Sequence, residues 1–150
     1  MLVKTYGSAV QGINATIVTI EVNVSQGIRF LLVGLPDNAV KESQQRIASA
    51  LQFTGHKFPH QQIVINMAPA DIRKEGSAYD LPLAIGIMAG SGQIQNDELE
   101  SFVIMGELSL DGGLQPIKGV LPIAIKAREE KFKALILPKQ NAREAAVVNN

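Results

Sequence analysis

Val18, Ile20, Val22 and Val24 alternate with Thr19, Glu21 and Asn23. A strand projects successive side chains to opposite faces, so this run has one apolar and one polar face. It fits a sheet covered on a single side, and it requires a second layer to cover it. Tyr79 to Ala89 supplies a candidate. The segment is apolar nearly all round, so as a helix it must be buried. Pro82 suits its first turn, and Gly90-Ser91-Gly92 suits its end.

The rest of the chain extends this two-layer reading. Ser25-Gln26-Gly27 marks a turn, and Ile28 to Val33 is apolar on both faces apart from Arg29, as in a central strand. Residues 13–33 therefore read as a hairpin, with residues 1–6 as an added edge strand. Gly34-Leu35-Pro36-Asp37 breaks the sheet, and Asp37 is placed to cap a helix. In that helix Val40, Ile47, Ala50 and Leu51 share one face, while Lys41, Glu42, Gln45 and Arg46 face water. A connector with Gly55 and Pro59 leads to a strand at Ile63 to Met67. The loop Ala68 to Ala78 carries Asp71, Arg73, Lys74 and Glu75. Phe102 to Met105 is a strand that leads into a second hairpin. There Leu108 and Leu110 alternate with Ser109 and Asp111, and Asp111-Gly112-Gly113 lets the chain reverse. Val120 to Lys131 is a helix whose basic end complements its dipole. Ala134 to Leu137 is a last strand closed by Pro138, and Asn141 to Val148 starts another helix. The order of elements predicts one α+β domain over 1–150, an α/β two-layer arrangement. The stop at Asn149-Asn150 reads as the edge of a piece of a longer chain.

Composition removes several function classes. There is no cysteine, which excludes thiol catalysis, cysteine-ligated zinc and a disulfide framework. Lys+Arg and Asp+Glu are both 14, so the basic excess of a dedicated nucleic-acid module is missing. Residues 1–24 hold no uninterrupted apolar region of the signal-peptide kind. The longest apolar run, Leu81 to Gly90, is far below the roughly 20 residues a membrane helix needs. A cytoplasmic domain without a membrane partner is the expectation.

Nor does the sequence carry the common catalytic motifs. No Gly-Lys pair occurs, so the phosphate-cradling GxxxxGK loop is absent, as is GxGxxG. His56 and His60 have the spacing of one helical turn, but Pro59 lies between them and no acidic partner adjoins, so they read as a solvated connector. Asp71, Glu75 and Asp80 read as loop charges and a residue that caps or orients the apolar helix, rather than as an acid–base pair. Ser77 would need a base within hydrogen-bond reach to act as a nucleophile. Lys74 is three residues away, and Lys118 approaches only through the fold. Lys126, Arg128, Lys131 and Lys133 read as a solvated helix face and exit turn.

Four stretches, taken in order, resemble one family. They are VGLPDNAVKESQQRIASAL (33–51), INMAPADIRKEGSAYDLPLAIGI (65–87), MGELSLDGGLQPIKGVLPIAIKARE (105–129) and ALILPKQNAREAAVV (134–148). Together they are similar to the amino-terminal domain of the magnesium chelatase-like AAA+ ATPases of the competence-protein (ComM/YifB) type. The domain also resembles the proteolytic domain of Lon and the matching domain of the recombination protein RadA, which share the fold of a small-subunit ribosomal protein domain. Lon uses a Ser–Lys dyad. Its lysine follows Pro-Ile-Gly-Gly-Val; here Pro116-Ile117-Lys118-Gly119-Val120 is followed by Leu121. Its serine lies in Lys-Asp-Gly-Pro-Ser-Ala; here Lys74-Glu75-Gly76-Ser77-Ala78 lacks the proline, and an ungapped match places Ala78 at the nucleophile. Loss of either member of such a unit typically costs several orders of magnitude in rate.

The resemblance implies a non-catalytic N-terminal domain with no catalytic, cofactor or metal residues of its own. An AAA+ ATPase module would follow residue 150, bringing ATP and Mg. In that family the full protein is a DNA-remodelling motor implicated in branch migration and natural transformation, and the domain would assist assembly, regulation or DNA engagement. The implied partners are its own AAA+ module, further copies in a hexamer, and DNA. Arg73, Lys74 and Lys118 are the candidate partner or DNA contacts, because they occupy the loop and hairpin that replace the Lon active-site region. Two alternatives remain: a Lon-like serine peptidase with Ser77 and a displaced Lys118, and a stand-alone DNA-binding module.

Overall fold

The computed structural model describes residues 1–95 and 97–148, so the expected chain edge at Asn149-Asn150 lies outside the described residues. Among the described residues eight strands are formed: β1 (Leu2–Gln11), β2 (Asn14–Ser25), β3 (Phe30–Val33), β4 (Gln62–Ala68), β5 (Phe102–Ile104), β6 (Glu107–Leu108), β7 (Leu114–Gln115) and β8 (Ala134–Ile136). The α-helices are α1 (Asn38–Lys41), α2 (Ser43–Phe53), α3 (Asp80–Gly90), α4 (Val120–Glu129) and α5 (Ala142–Ala145). Six strands make one mixed sheet in the order β3-β4-β2-β1-β5-β8, and β6 and β7 form a separate antiparallel ribbon.

The alternation in β2 sets the layers. Val18, Ile20 and Val22 are fully buried and Val24 nearly so, and they face α3 and α4. Ile63, Ile65 and Met67 of β4 continue the same apolar face. Helix α3 lies close against it: a Cβ at Gly86 would come within 2.6 Å of Val22 Cγ2. Thr5 of β1 is buried on that face and donates its hydroxyl to Pro82 O at 3.1 Å, taking up a carbonyl in the first turn of α3. Helix α2 packs on α3 from outside. The α+β two-layer reading holds.

Several local expectations do not. The hairpin is β1–β2, paired along its length from Leu2↔Asn23 to Gln11↔Asn14, and not residues 13–33. With one edge of β2 taken by β1, its other edge pairs with β4, which leaves no place for β3 beside it. Of residues 1–6, expected as an edge strand, Leu2 to Tyr6 are thus part of a central strand, β1, that also pairs in parallel with β5. Conversely, β3 is an edge strand, parallel to β4 alone; Ile28 before it is 94% exposed. An apolar run was the signal for burial on both faces, and the edge position defeated it. The expected helix after Asp37 is broken at Glu42 into α1 and α2. Asp37 does cap it, its Oδ1 accepting from Val40 N at 2.8 Å. In the second hairpin Leu108 is buried but Leu110 is exposed. The chain has already turned by then: Gly112 N donates to Ser109 O, and Gly112 adopts φ +92°.

Candidate functional site

The stretches that the resemblance matches to the Lon active-site region converge where the loop after β4, the start of α3 and the β6–β7 ribbon meet. Two loops first zip together. Lys74 N donates to Leu35 O at 3.0 Å and Asp37 N to Lys74 O at 2.9 Å, joining the Gly34–Asp37 turn to the loop 69–79. Asp37 uses its second oxygen on Gly76 N at 3.1 Å, so one carboxylate starts α1 and fixes the bend before Ser77. The ribbon is then tied on: Gly106 N donates to Ala78 O at 2.8 Å and Leu81 N to Gly106 O at 3.0 Å.

Lys74 departs from the expected surface contact. Its side chain is wholly buried and its ammonium donates to Gly34 O at 2.7 Å and to Pro69 O. Burial lowers its pKa, and the nearby Asp71 carboxylate opposes that shift. An ammonium held by two carbonyls inside the fold is a structural clasp and cannot reach a phosphate on a partner. Arg73 and Lys118 are exposed. Arg73 makes a 3.3 Å ion pair with Glu75, both well solvated, which is worth little in stability.

Ser77 Oγ donates to a carboxylate oxygen of Glu107 at the start of β6. The partner of the serine is thus an acid from the ribbon. Ala78 offers a methyl group and a carbonyl already taken by Gly106. Leu121, which the resemblance matches to the Lon lysine, is an exposed aliphatic side chain in the first turn of α4. Tyr79 is buried and its hydroxyl donates to Ser8 O at 3.3 Å. Burial drives its pKa upward, with the Asp37 and Glu75 carboxylates adding to the shift.

The sequence reading missed the centre of this region. Arg46, expected to face water, donates from Nε to Asp80 Oδ2 at 2.7 Å and from Nη2 to Oδ1 at 3.0 Å. Asp80 also accepts from Ser43 Oγ at 2.6 Å and from Leu108 N at 3.0 Å. It therefore orients the helix without capping it, by fastening α3 to α2 and to β6. The hydrogen bond from Arg46, then the Coulombic pull of Asp80, raise the guanidinium pKa against its partial burial. One signal was available: an acid that opens an all-apolar helix needs a buried cation, and Ser43 and Arg46 are one turn apart on the helix before it. Asn141 was also missed. Its side chain accepts from Ile117 N and donates to Ile117 O, both at 2.9 Å, so it clips the ribbon's exit to the C-terminal turn.

His56 and His60 are exposed, as a solvated connector requires. Lys126 pairs with Glu129 and Glu130, and Lys133 with Glu98. Among the described residues no helix is long and apolar enough to cross a membrane.

A family model described as subunit ChlI of Mg-chelatase matches residues 20–141. The competence protein ComM of Haemophilus influenzae is 45% identical over 150 residues, covering 99% of this chain and 29% of its own length. The uncharacterized protein YifB of Escherichia coli is 40% identical, covering 94% of this chain and 28% of its own. Lon protease 2 of Bacillus subtilis is 31% identical over 101 residues, covering 67% of this chain and 18% of its own length. The chain thus spans less than a third of the curated relatives it matches.

Proposed function

The chain belongs to the magnesium chelatase-like family of ComM and YifB, and from that premise we propose that it is the non-catalytic N-terminal domain of an AAA+ motor. The motor would take ATP and Mg in a module beyond residue 150, remodel DNA, and work as a homo-hexamer. The domain's part is to assist assembly, regulation or DNA engagement. The observation that carries this reading is the side-chain set at the Lon-like site. Ser77 is engaged by Glu107, Ala78 occupies the ungapped nucleophile position, and Leu121 stands for the lysine. An aliphatic side chain neither takes a proton from serine nor stabilises an oxyanion. The fastening of the same region by Asp37, Asp80 and Lys74 favours a rigid surface over a cleft that admits a peptide.

The test uses the purified 150-residue chain. It is expected to hydrolyse neither casein nor ATP, and to resist a serine-directed fluorophosphonate probe. Labelling that disappears in Ser77→Ala would replace this reading with the peptidase one.

Direct DNA engagement is a second reading, carried by the exposure of Arg73 and Lys118. A forked DNA should then bind in a salt-dependent manner, since each phosphate neutralised releases counterions. Arg73→Ala with Lys118→Ala should weaken it, and Lys74→Met should not act through contact. Absence of binding at low salt would confine the DNA contacts to other parts of the motor.

A further inference from the structure

A groove of about 370 Å³ lies between α4, β8 and α5, and Ser77, Lys118 and Leu121 are not among the residues that line it. Its apolar lining includes Ala127 of α4, Phe132, Leu135 of β8, Leu137, and Ala142 and Ala145 of α5. The lining also carries Arg128, Lys133 and Lys139, and among the described residues no carboxylate side chain lines it. Lys133 is satisfied by Glu98 at 2.9 Å. Among the described residues neither Arg128 nor Lys139 forms an ion pair. The net charge of the whole chain is zero, so this cationic lining is a local separation of charge and not a general bias.

We propose that this groove is a docking site for an acidic amphipathic peptide segment of a protein partner. Apolar side chains of the segment would seat on this apolar lining, and its carboxylates would meet Arg128 and Lys139. The two halves of the chemistry require each other. Nucleic acid would satisfy the cations but leave the apolar lining facing phosphate and sugar. A purely apolar segment would desolvate the guanidinium without a counter-charge, which is costly. An amphipathic acidic segment satisfies both, and helix-in-groove recognition is a common form of such docking. The inference is independent of whether the domain retains any peptidase activity.

The experiment is a fluorescence anisotropy titration of the 150-residue chain against a short fluorescein-labelled peptide of glutamate and leucine, with leucines at helical i, i+4 spacing. Saturable binding that weakens with added salt is expected. The pair Arg128→Glu and Lys139→Glu should lower affinity by at least about tenfold, because two attractions become repulsions. Ala146→Trp, at an exposed groove position, should block binding by filling the groove without touching the core. A control peptide with serine in place of leucine should fail to bind. Circular dichroism melts establish that each variant is folded before its affinity is compared. No saturable binding by the parent chain overturns the proposal. So does equal binding of the serine control, or tighter binding of a single-stranded oligonucleotide that the charge reversals abolish.

Discussion

Arg46 and Asp80 meet at 2.7 Å across the junction of α2 and α3, with the carboxylate fully buried and the guanidinium about one-fifth exposed. The pair joins the two helices, and Asp80 passes the connection on to Ser43 and to the backbone of Leu108. Three elements are therefore registered by one carboxylate whose lone pairs are all used.

Breaking this pair from one side should be far more damaging than removing both partners. Arg46→Ala leaves Asp80 buried beside only neutral donors, and a loss of about 3–5 kcal/mol is expected in urea unfolding. Asp80→Ala should cost a similar amount. The double variant should lose clearly less than the sum, with a coupling of about 1–3 kcal/mol. Additive losses would show that the two side chains contribute independently. The Arg46 pKa is raised above the ordinary guanidinium range, chiefly by its hydrogen bond to Asp80, so its contribution is fully present at neutral and mildly alkaline pH and disappears only at more alkaline values. The coupling should therefore be the same at pH 6 and pH 9.

Tyr79 makes stability fall at alkaline pH. Its folded pKa is raised above the ordinary 10.0, chiefly by burial. Above pH 10 the unfolded chain releases the phenolic proton while the folded chain holds it, so stability drops as pH rises. The slope approaches about 1.4 kcal/mol per pH unit for one proton. Lys74 works with the opposite sign. Its folded pKa lies below 10.5, so the unfolded state binds more protons in that window and stability rises toward pH 10.5. Comparing Tyr79→Phe with the parent isolates the tyrosine: the variant should lose less stability between pH 10 and 11.5. Parallel profiles would mean that Tyr79 titrates normally.

What was legible in the sequence follows the range of the interactions involved. The alternation of Val18 to Val24, the all-apolar α3 and the Asp37 cap are local patterns, and they appear where expected. Strand neighbours are not local. The residues of β3 carry an apolar run that fits a central strand equally well, and only the pairing of β2 with β1 and β4 excludes it. The candidate site was half legible for the same reason. Leu121 and Ser77-Ala78 are read directly, but the fate of Lys74 depends on carbonyls at Gly34 and Pro69, and that of Arg46 on Asp80, 34 residues on.

Asn141 tests whether the C-terminal turn is held by its side chain or by packing. Its amide makes both hydrogen bonds that a strand partner would give to Ile117. Asn141→Ala leaves a buried N–H and a buried C=O unpaired, which should cost about 2–4 kcal/mol. Amide exchange at Ile117 should quicken before the sheet amides do. An Asn141→Ala protein with unchanged stability and protection would assign the turn to apolar contacts instead.

Gly34 is where the backbone leaves no alternative. It adopts φ +110°, and a Cβ there would lie 2.1 Å from Met67 O. The nearest atoms are backbone of β4, which cannot swing aside as a flexible side chain would. Gly34→Ala must therefore push residue 34 off the strand end, and its carbonyl is one of the two that hold the buried Lys74 ammonium. The substitution would add steric strain and deprive a buried cation of an acceptor, so a loss above about 3 kcal/mol is expected. Lys74→Met separates these effects. It removes the charge and leaves two carbonyls unsatisfied but keeps most of the side-chain volume, so it should cost only about 1–3 kcal/mol. Combining the two should cost less than their sum, because no ammonium remains to be stranded. If Gly34→Ala proves milder than Lys74→Met, the turn has freedom that this geometry denies, and the clasp then rests on the lysine alone.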